Sequence, residues 1–296
     1  MPELFDMSGD NLDPLYMAMR DANHVDNKAQ QDHCEALWAT FQSKKLADSH
    51  FLTEFSQRTK ERYWEMYLGC TLVELGLNPE KVSDSGPDFL IAHNGRRYWI
   101  EATCPGPGDI SLPDSVPNQS IGGNIVHEYP HEQVILRYTN ALSLKKCHRN
   151  KNIEAGIINK EDGYIISISA SGLNNHIPSA KNPNSILQTL FPVGQVYVNF
   201  GKDRADQAEV GVHDKHHILK TGGKEVSTDA FVNPEWNWLS AVIFEPIGLE
   251  RVPLEAPMGS SFHTVHNPLA DVPLNHCLIN RGEMYRLSLE QYSWPS

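Results

Sequence analysis

The dipeptide Asn94-Gly95, set between the runs 89–93 and 96–103, constrains this chain more than any other feature. Both residue types tolerate the positive φ angles of a type I′ turn, whose twist matches that of two paired strands. The sequence therefore predicts a tight hairpin in which His93 pairs with Arg96. Counting outward brings Asp88 opposite Glu101. Directly opposed residues of an antiparallel pair point to one face, with Cβ atoms about 4.5–5.5 Å apart. Alternation adds Thr103 to that face and sends Phe89, Ile91, Tyr98 and Ile100 to the other. One face is thus expected to be apolar and to enter a core, while the other presents two carboxylates at the open end of the hairpin.

Two carboxylates held so close repel each other, and one of them should have a raised pKa unless something compensates. A divalent cation removes the conflict. Hard oxygen donors with several retained waters suit Mg²⁺, with Mn²⁺ as the substitute. A metal held there supplies a hydroxide nucleophile and offsets charge developing on a phosphodiester. The competing reading makes Asp88 a turn residue after Gly86-Pro87 and Glu101 a strand residue paired with an arginine. Glu101 lies inside an otherwise apolar run, Tyr98-Trp99-Ile100 and then Ala102, and it faces another acid, which favours function.

Around the hairpin the hydrophobic period changes. Residues 57–75 predict a helix, with Trp64, Leu68, Leu72 and Leu75 recurring at three- and four-residue steps. Gly76 stands where a C-terminal capping glycine belongs, and Pro79 prevents continuation. A short helix is expected over 31–47, a long Pro/Gly/Ser-rich loop over 104–130 and a second long helix over 131–148. Strands are expected at 164–170, 195–200 and 239–244. This order predicts an α/β (α+β) fold, a central mixed sheet flanked by helices with a loop-rich C-terminal extension. Residues 1–50 are read as a polar arm with a short helix, 51–250 as the core, and 251–296 as an extension packed on it.

The motifs resemble those of the PD-(D/E)XK, or restriction-endonuclease-like, nuclease superfamily. Pro87-Asp88 is similar to that family's first element, and Glu101-Ala102-Thr103 to its acid-x-Lys element. Glu65, within Arg62-Tyr63-Trp64-Glu65, is similar to its upstream helical acid. The overlap covers residues 57–150. The resemblance implies Glu65, Asp88 and Glu101 as metal ligands, Asp88 and Glu101 with catalytic roles, and hydrolysis of phosphodiester bonds, in DNA rather than RNA. This chain departs from the pattern at Thr103, which stands where the family has lysine. Threonine donates one hydrogen bond but carries no charge, and losing a single oxyanion-type donor typically costs about 10²–10³ in rate. Arg137, Ala141 and Lys145 share one stripe of the following helix. Lys145 is therefore the expected replacement for the lysine, with Arg137 and Lys146 binding phosphate. The bland alternative is a solvated basic helix end from Lys145 to Arg149.

The formal net charge of −12 narrows the partners. A protein that grips duplex DNA along many phosphates usually carries a basic face. An acidic total points instead to a small nucleic-acid substrate, a homodimer or a protein partner. It also leaves two other readings open: a nuclease-like fold that has lost catalysis and serves as a binding or assembly module, and a defence effector that needs a partner. No stretch approaches the roughly 18 apolar residues of a membrane span. Five widely spaced cysteines fit reduced thiols in a cytoplasm better than a disulfide framework. The cluster His213-Asp214-Lys215-His216-His217 offers metal-ligating side chains, but Val210, Val212, Ile218 and Leu219 around it suggest a strand.

Overall fold

The computed structural model describes residues 3–117, 129–173, 184–200, 208–251 and 254–287. Of the loop expected over 104–130, residues 118–128 lie outside the described residues. Four helices come first: α1 (Pro14–Asp21), α2 (Val25–Ser43), α3 (Phe51–Gln57) and α4 (Thr59–Glu74). The hairpin follows as β1 (Phe89–His93) and β2 (Arg96–Thr103), and α5 (His131–Glu154) crosses to β3 (Gly163–Ser169). After α6 (Ser185–Leu190) come two ribbons, β4 (Val193–Phe200) with β5 (Ala208–Asp214), and β6 (His217–Leu219) with β7 (Glu225–Ser227). The chain then adds β8 (Ala241–Glu245), β9 (His263–His266) and β10 (Glu283–Tyr285).

Among the described residues, six strands form one mixed sheet in the order β1-β2-β3-β8-β9-β10. β2, β3 and β8 run parallel at its centre, while β1 and β9 are antiparallel to their inner neighbours. Both faces are covered. Tyr98, Ile100, Ile165, Ala241 and Ile243 point to one face, under α2, α3 and α4, with Phe41, Phe55, Trp64 and Leu68. Trp99, Tyr164, Ile166, Ile168, Val242 and Phe244 point to the other, against Val134, Tyr138 and Leu142 of α5. This is strand alternation applied to a sheet between two helical layers. The fold is α+β.

The hairpin has the expected register, from Phe89↔Ile100 to His93↔Arg96. Asn94 and Gly95 both have positive φ, 50° and 75°. Phe89, Ile91, Tyr98 and Ile100 enter the core, but the opposite face is no surface: Trp99 is fully buried there and Glu101 nearly so. That second face is covered because α5 packs across it.

The helix expected over 57–75 is interrupted at Arg58, which separates α3 from α4. At the other end Gly76, with φ of 72°, completes a double C-terminal cap, Gly76 N–H donating to Val73 O and Leu77 N–H to Leu72 O. Residues 3–50 are built into the core rather than hanging from it. Leu4, Tyr16, Met19, Cys34, Leu37, Trp38 and Phe41 are all buried. Asp13 accepts from Leu15 N at 2.8 Å, capping α1, and from Thr59 N at 3.3 Å, which ties α1 to the start of α4. The polar composition hid this because apolar positions three and four apart are enough to bury one face of each helix. The strand expected at 195–200 belongs to a separate ribbon, and residues beyond 250 contribute two strands to the sheet itself. Among the described residues, no helix is long and apolar enough to cross a membrane, and the five cysteines are unpaired.

Candidate functional site

α4 presents Glu65 from a face packed on the core, at 5% exposure. A buried carboxylate needs partners, and Glu65 Oε2 has one: Arg62, one turn earlier, donates to it from Nη1 at 2.5 Å. Arg62 is itself clamped, donating to Asp48 Oδ2 at 2.9 Å and to Glu54 Oε2 from Nε at 2.8 Å. Three acids on one guanidinium fix its plane and so aim the second oxygen of Glu65. That atom, Oε1, is buried and accepts no hydrogen bond. Burial, aggravated by the Asp88 charge, pushes the Glu65 carboxyl up to about 7 despite Arg62 and Lys81.

Asp88 sits one residue before the first rung of the hairpin ladder. Its Oδ2 accepts from the backbone N–H of Ala102 at 2.7 Å, so the hairpin continues through a side chain where backbone pairing stops. Burial raises the Asp88 pKa, the nearby Lys81 and Lys145 charges and the Ala102 bond opposing it and Glu101 adding to it. The observed register ends at Phe89↔Ile100, one residue short of the expected Asp88–Glu101 pair, and the Asp88 side chain turns to the Ala102 N–H there.

Glu101 is the best-held acid of the three. Lys145 Nζ donates to its Oε1 at 2.8 Å, and His148 Nδ1 lies 3.3 Å from the same oxygen. The Tyr164 hydroxyl donates to Oε2. Lys145 and His148 lie three residues apart on α5, the spacing that puts two side chains on one helical face. Tyr164 comes from β3, opposite Trp99 in the parallel register, and reaches along the sheet to the carboxylate. Burial and the Glu101 charge drive the Tyr164 pKa far above its ordinary value, so its proton stays on oxygen and is donated.

A cavity of about 250 Å³ joins these groups, lined by Arg58, Glu61, Arg62, Glu65, Asp88, Ala102, Thr103, Cys104 and Lys145. It opens between the two helical layers at the start of β1 and the end of β2. Glu65, Asp88, Thr103 and Lys145, four of the expected site residues, therefore share one cavity, and Glu101 is attached to it through Lys145. The other two are elsewhere. Arg137 Nε donates to Gly106 O at 2.8 Å, bracing the loop after β2. Lys146, one residue past Lys145 and so about 100° around the helix, pairs with Glu235 at 3.5 Å and lies over the Trp236 ring.

Sequence reasoning missed Lys81. Its side chain is 7% exposed, with Nζ 3.7 Å from both Glu65 Oε1 and Asp88 Oδ1. The cause is a two-bond bridge: Glu80 N–H donates to Leu90 O and Leu90 N–H to Glu80 O, pinning the α4–β1 link to the free edge of β1. A lysine seven residues before a Pro-Asp-anchored strand was visible, but nothing local shows that the link folds back. Lys81 touches the acids from outside the cavity lining, whereas Cys104 belongs to that lining. Burial raises its thiol pKa to about 11, and Ser171 Oγ lies 3.2 Å away, so it is no thiolate nucleophile at neutral pH.

The donor chemistry suits a hard divalent cation: carboxylate oxygens, one of them buried without a hydrogen bond, in a pair whose charge is incompletely compensated. The arrangement is not closed around one point. Among the described residues, no three His, Cys, Asp or Glu side chains are gathered closely enough to hold a metal, and this includes the 213–217 cluster. No family model, curated protein or solved structure matches this chain.

Proposed function

We propose that this chain is a Mg²⁺- or Mn²⁺-dependent nuclease, similar in plan to the PD-(D/E)XK enzymes and acting on DNA in preference to RNA. The observation that carries this reading is the position of Lys145. Its ammonium comes from α5, contacts Glu101 and lines the same cavity as Glu65, Asp88 and Thr103, which is where a lysine displaced from position 103 has to be. The succession α4, β1, β2, α5, β3, with an acid on each of the first helix, the hairpin entry and the second strand, supports the same reading.

Glu65, Asp88 and Glu101, which are not gathered around one point in this arrangement, would have to close on the metal to hold it, and the ion would supply a hydroxide nucleophile and charge compensation. Lys145 Nζ would donate to a phosphate oxygen entering the cavity. Tyr164 and His148 keep Glu101 oriented when Lys145 turns toward substrate. Thr103 Oγ1 can donate one hydrogen bond to the attacking water. Arg58, half exposed at the cavity wall, adds a cation for the flanking phosphate. Incubating plasmid and single-stranded DNA with Mg²⁺ or Mn²⁺ beside Asp88→Ala is the direct assay. Cleavage is expected from the native chain and none from the variant; equal cleavage by both rejects the reading.

A second reading, a catalytically silent nuclease-like module used for binding or assembly, is favoured by a specific observation. Each acid is already answered from within the chain, Glu65 by Arg62, Asp88 by Lys81 and Glu101 by Lys145. Calorimetric titration with Mn²⁺ separates the two, since a silent module with satisfied acids takes up no metal.

A further inference from the structure

Lys81 stands in an unusual place for an ammonium. It is almost fully buried, and it reaches two carboxylates without coming within hydrogen-bonding distance of either. One positive charge therefore serves two acids, and Glu65 Oε1 is left with no donor. An ammonium is a compact charge on a flexible four-carbon stem, so its head can leave while its backbone stays pinned by the Glu80–Leu90 bridge. Glu65 cannot follow, because Arg62 holds its other oxygen. Asp88 cannot either, because Ala102 N–H holds its Oδ2. The two free oxygens, Glu65 Oε1 and Asp88 Oδ1, thus flank a fixed seat of which Lys81 is the movable occupant.

We propose that Lys81 is an internal stand-in for the divalent cation, seated between Glu65 and Asp88 and displaced from that seat when the metal binds. This rests on the metal-dependent reading above and adds to it a competition. The apparent metal affinity is the intrinsic one reduced by the fraction of molecules in which the lysine has vacated the seat. The ammonium keeps two buried carboxylates from repelling each other, and Glu101 is held apart by Lys145, His148 and Tyr164.

Two measurements test it on the full-length chain. The first is amine acylation of the native protein followed by peptide mass spectrometry, with and without Mn²⁺. Acylation of Lys81 should rise several-fold with Mn²⁺, while that of Lys160, 77% exposed, stays constant. The second is Mn²⁺ calorimetry on Lys81→Met, with Lys81→Gln as the variant that keeps a polar head. Removing the competitor should tighten binding about tenfold or more. If the native chain binds Mn²⁺ while Lys81 acylation does not change, the stand-in role is wrong and the nuclease reading survives. Weaker or equal binding by folded Lys81 variants likewise overturns the stand-in role alone. If neither native chain nor variants bind Mn²⁺, both readings fall. Should the variants not fold, the acylation result on the native chain decides alone.

Discussion

Lys145 Nζ lies 2.8 Å from Glu101 Oε1, joining the middle of the crossover helix to the second strand of the hairpin across the sheet face. The pair is largely out of solvent, at 16% and 9% side-chain exposure. Under the proposed nuclease reading this contact has a structural and a chemical role, and the two separate under mutation. Lys145→Met should destabilise the fold by about 1–3 kcal/mol, because Glu101 keeps Tyr164 and His148 as donors. The same change should lower DNA cleavage by about 10²–10³. Lys145→Arg, which keeps the charge, should recover most of the stability. Urea unfolding and a plasmid-nicking assay on both variants check the pair of outcomes.

Glu245 gives a pH prediction independent of the cavity. It ends β8, is 2% exposed and accepts from Ile247 N at 2.8 Å and Ser261 Oγ at 2.7 Å. Burial outweighs these bonds and raises its pKa from 4.5 to about 7. Above the lower value the unfolded chain releases a proton that the folded chain keeps. The folded state then binds more protons, and stability falls as pH rises from about 4.5 to 7 before levelling. Glu65 acts in the same direction. Glu245→Gln should remove one share of the slope, on the order of 3 kcal/mol between the limits. Chemical denaturation at pH 5 and pH 8 measures it; an unchanged difference between the two pH values would contradict the assignment.

Gly69 marks the closest approach between α4 and its neighbours. A Cβ there would lie 2.7 Å from Phe41 Cε2 and 2.9 Å from Phe89 Cζ, and both rings are fully buried. Alanine gains about 1 kcal/mol of helix propensity over glycine. Overpacking a well-filled core costs typically 1–3 kcal/mol, and two immobile rings put this site at the upper end. Gly69→Ala should therefore lower stability by about 1–2 kcal/mol, read as a fall in Tm.

The hairpin turn should be equally intolerant. Asn94 and Gly95 both have positive φ, and residues with an ordinary Cβ pay roughly 1–2 kcal/mol each in that region. Gly95→Val is expected to cost at least that much. Asn94→Gly should be close to neutral. Thermal denaturation of the two single variants distinguishes backbone strain from loss of the asparagine side chain.

Much of this molecule was legible before folding, and for identifiable reasons. Asn94-Gly95 dictates a turn by backbone sterics alone, and strand periodicity then fixes the register from His93↔Arg96 out to Phe89↔Ile100 by counting. The three- and four-residue spacing of Trp64, Leu68, Leu72 and Leu75, with Gly76 beyond, marked α4 and its end. Lys145 stood out because it lies on a helix stripe with a strong period. Each of these inferences uses interactions between residues close in the chain.

What the tertiary structure decided was which of these pieces meet. Alternation said that Glu101 shares a face with Asp88, but only the packing of α5 shows that this face is buried and supplied with Lys145, His148 and Tyr164. Helical spacing put Arg137 and Lys145 on one stripe, yet the eight-residue separation carries Arg137 to the loop at Gly106 and away from the cavity. Lys81 enters the site through an edge bridge between Glu80 and Leu90 that no local pattern encodes. Composition made residues 1–50 look peripheral, whereas a few buried apolar side chains on α1 and α2 were enough to dock those helices on the core. Local sterics and periodicity act within a few residues and can be read from order alone. Burial, charge pairing and the seat between Glu65 and Asp88 depend on residues far apart in the chain, whose contacts exist only once the helical layers close on the sheet.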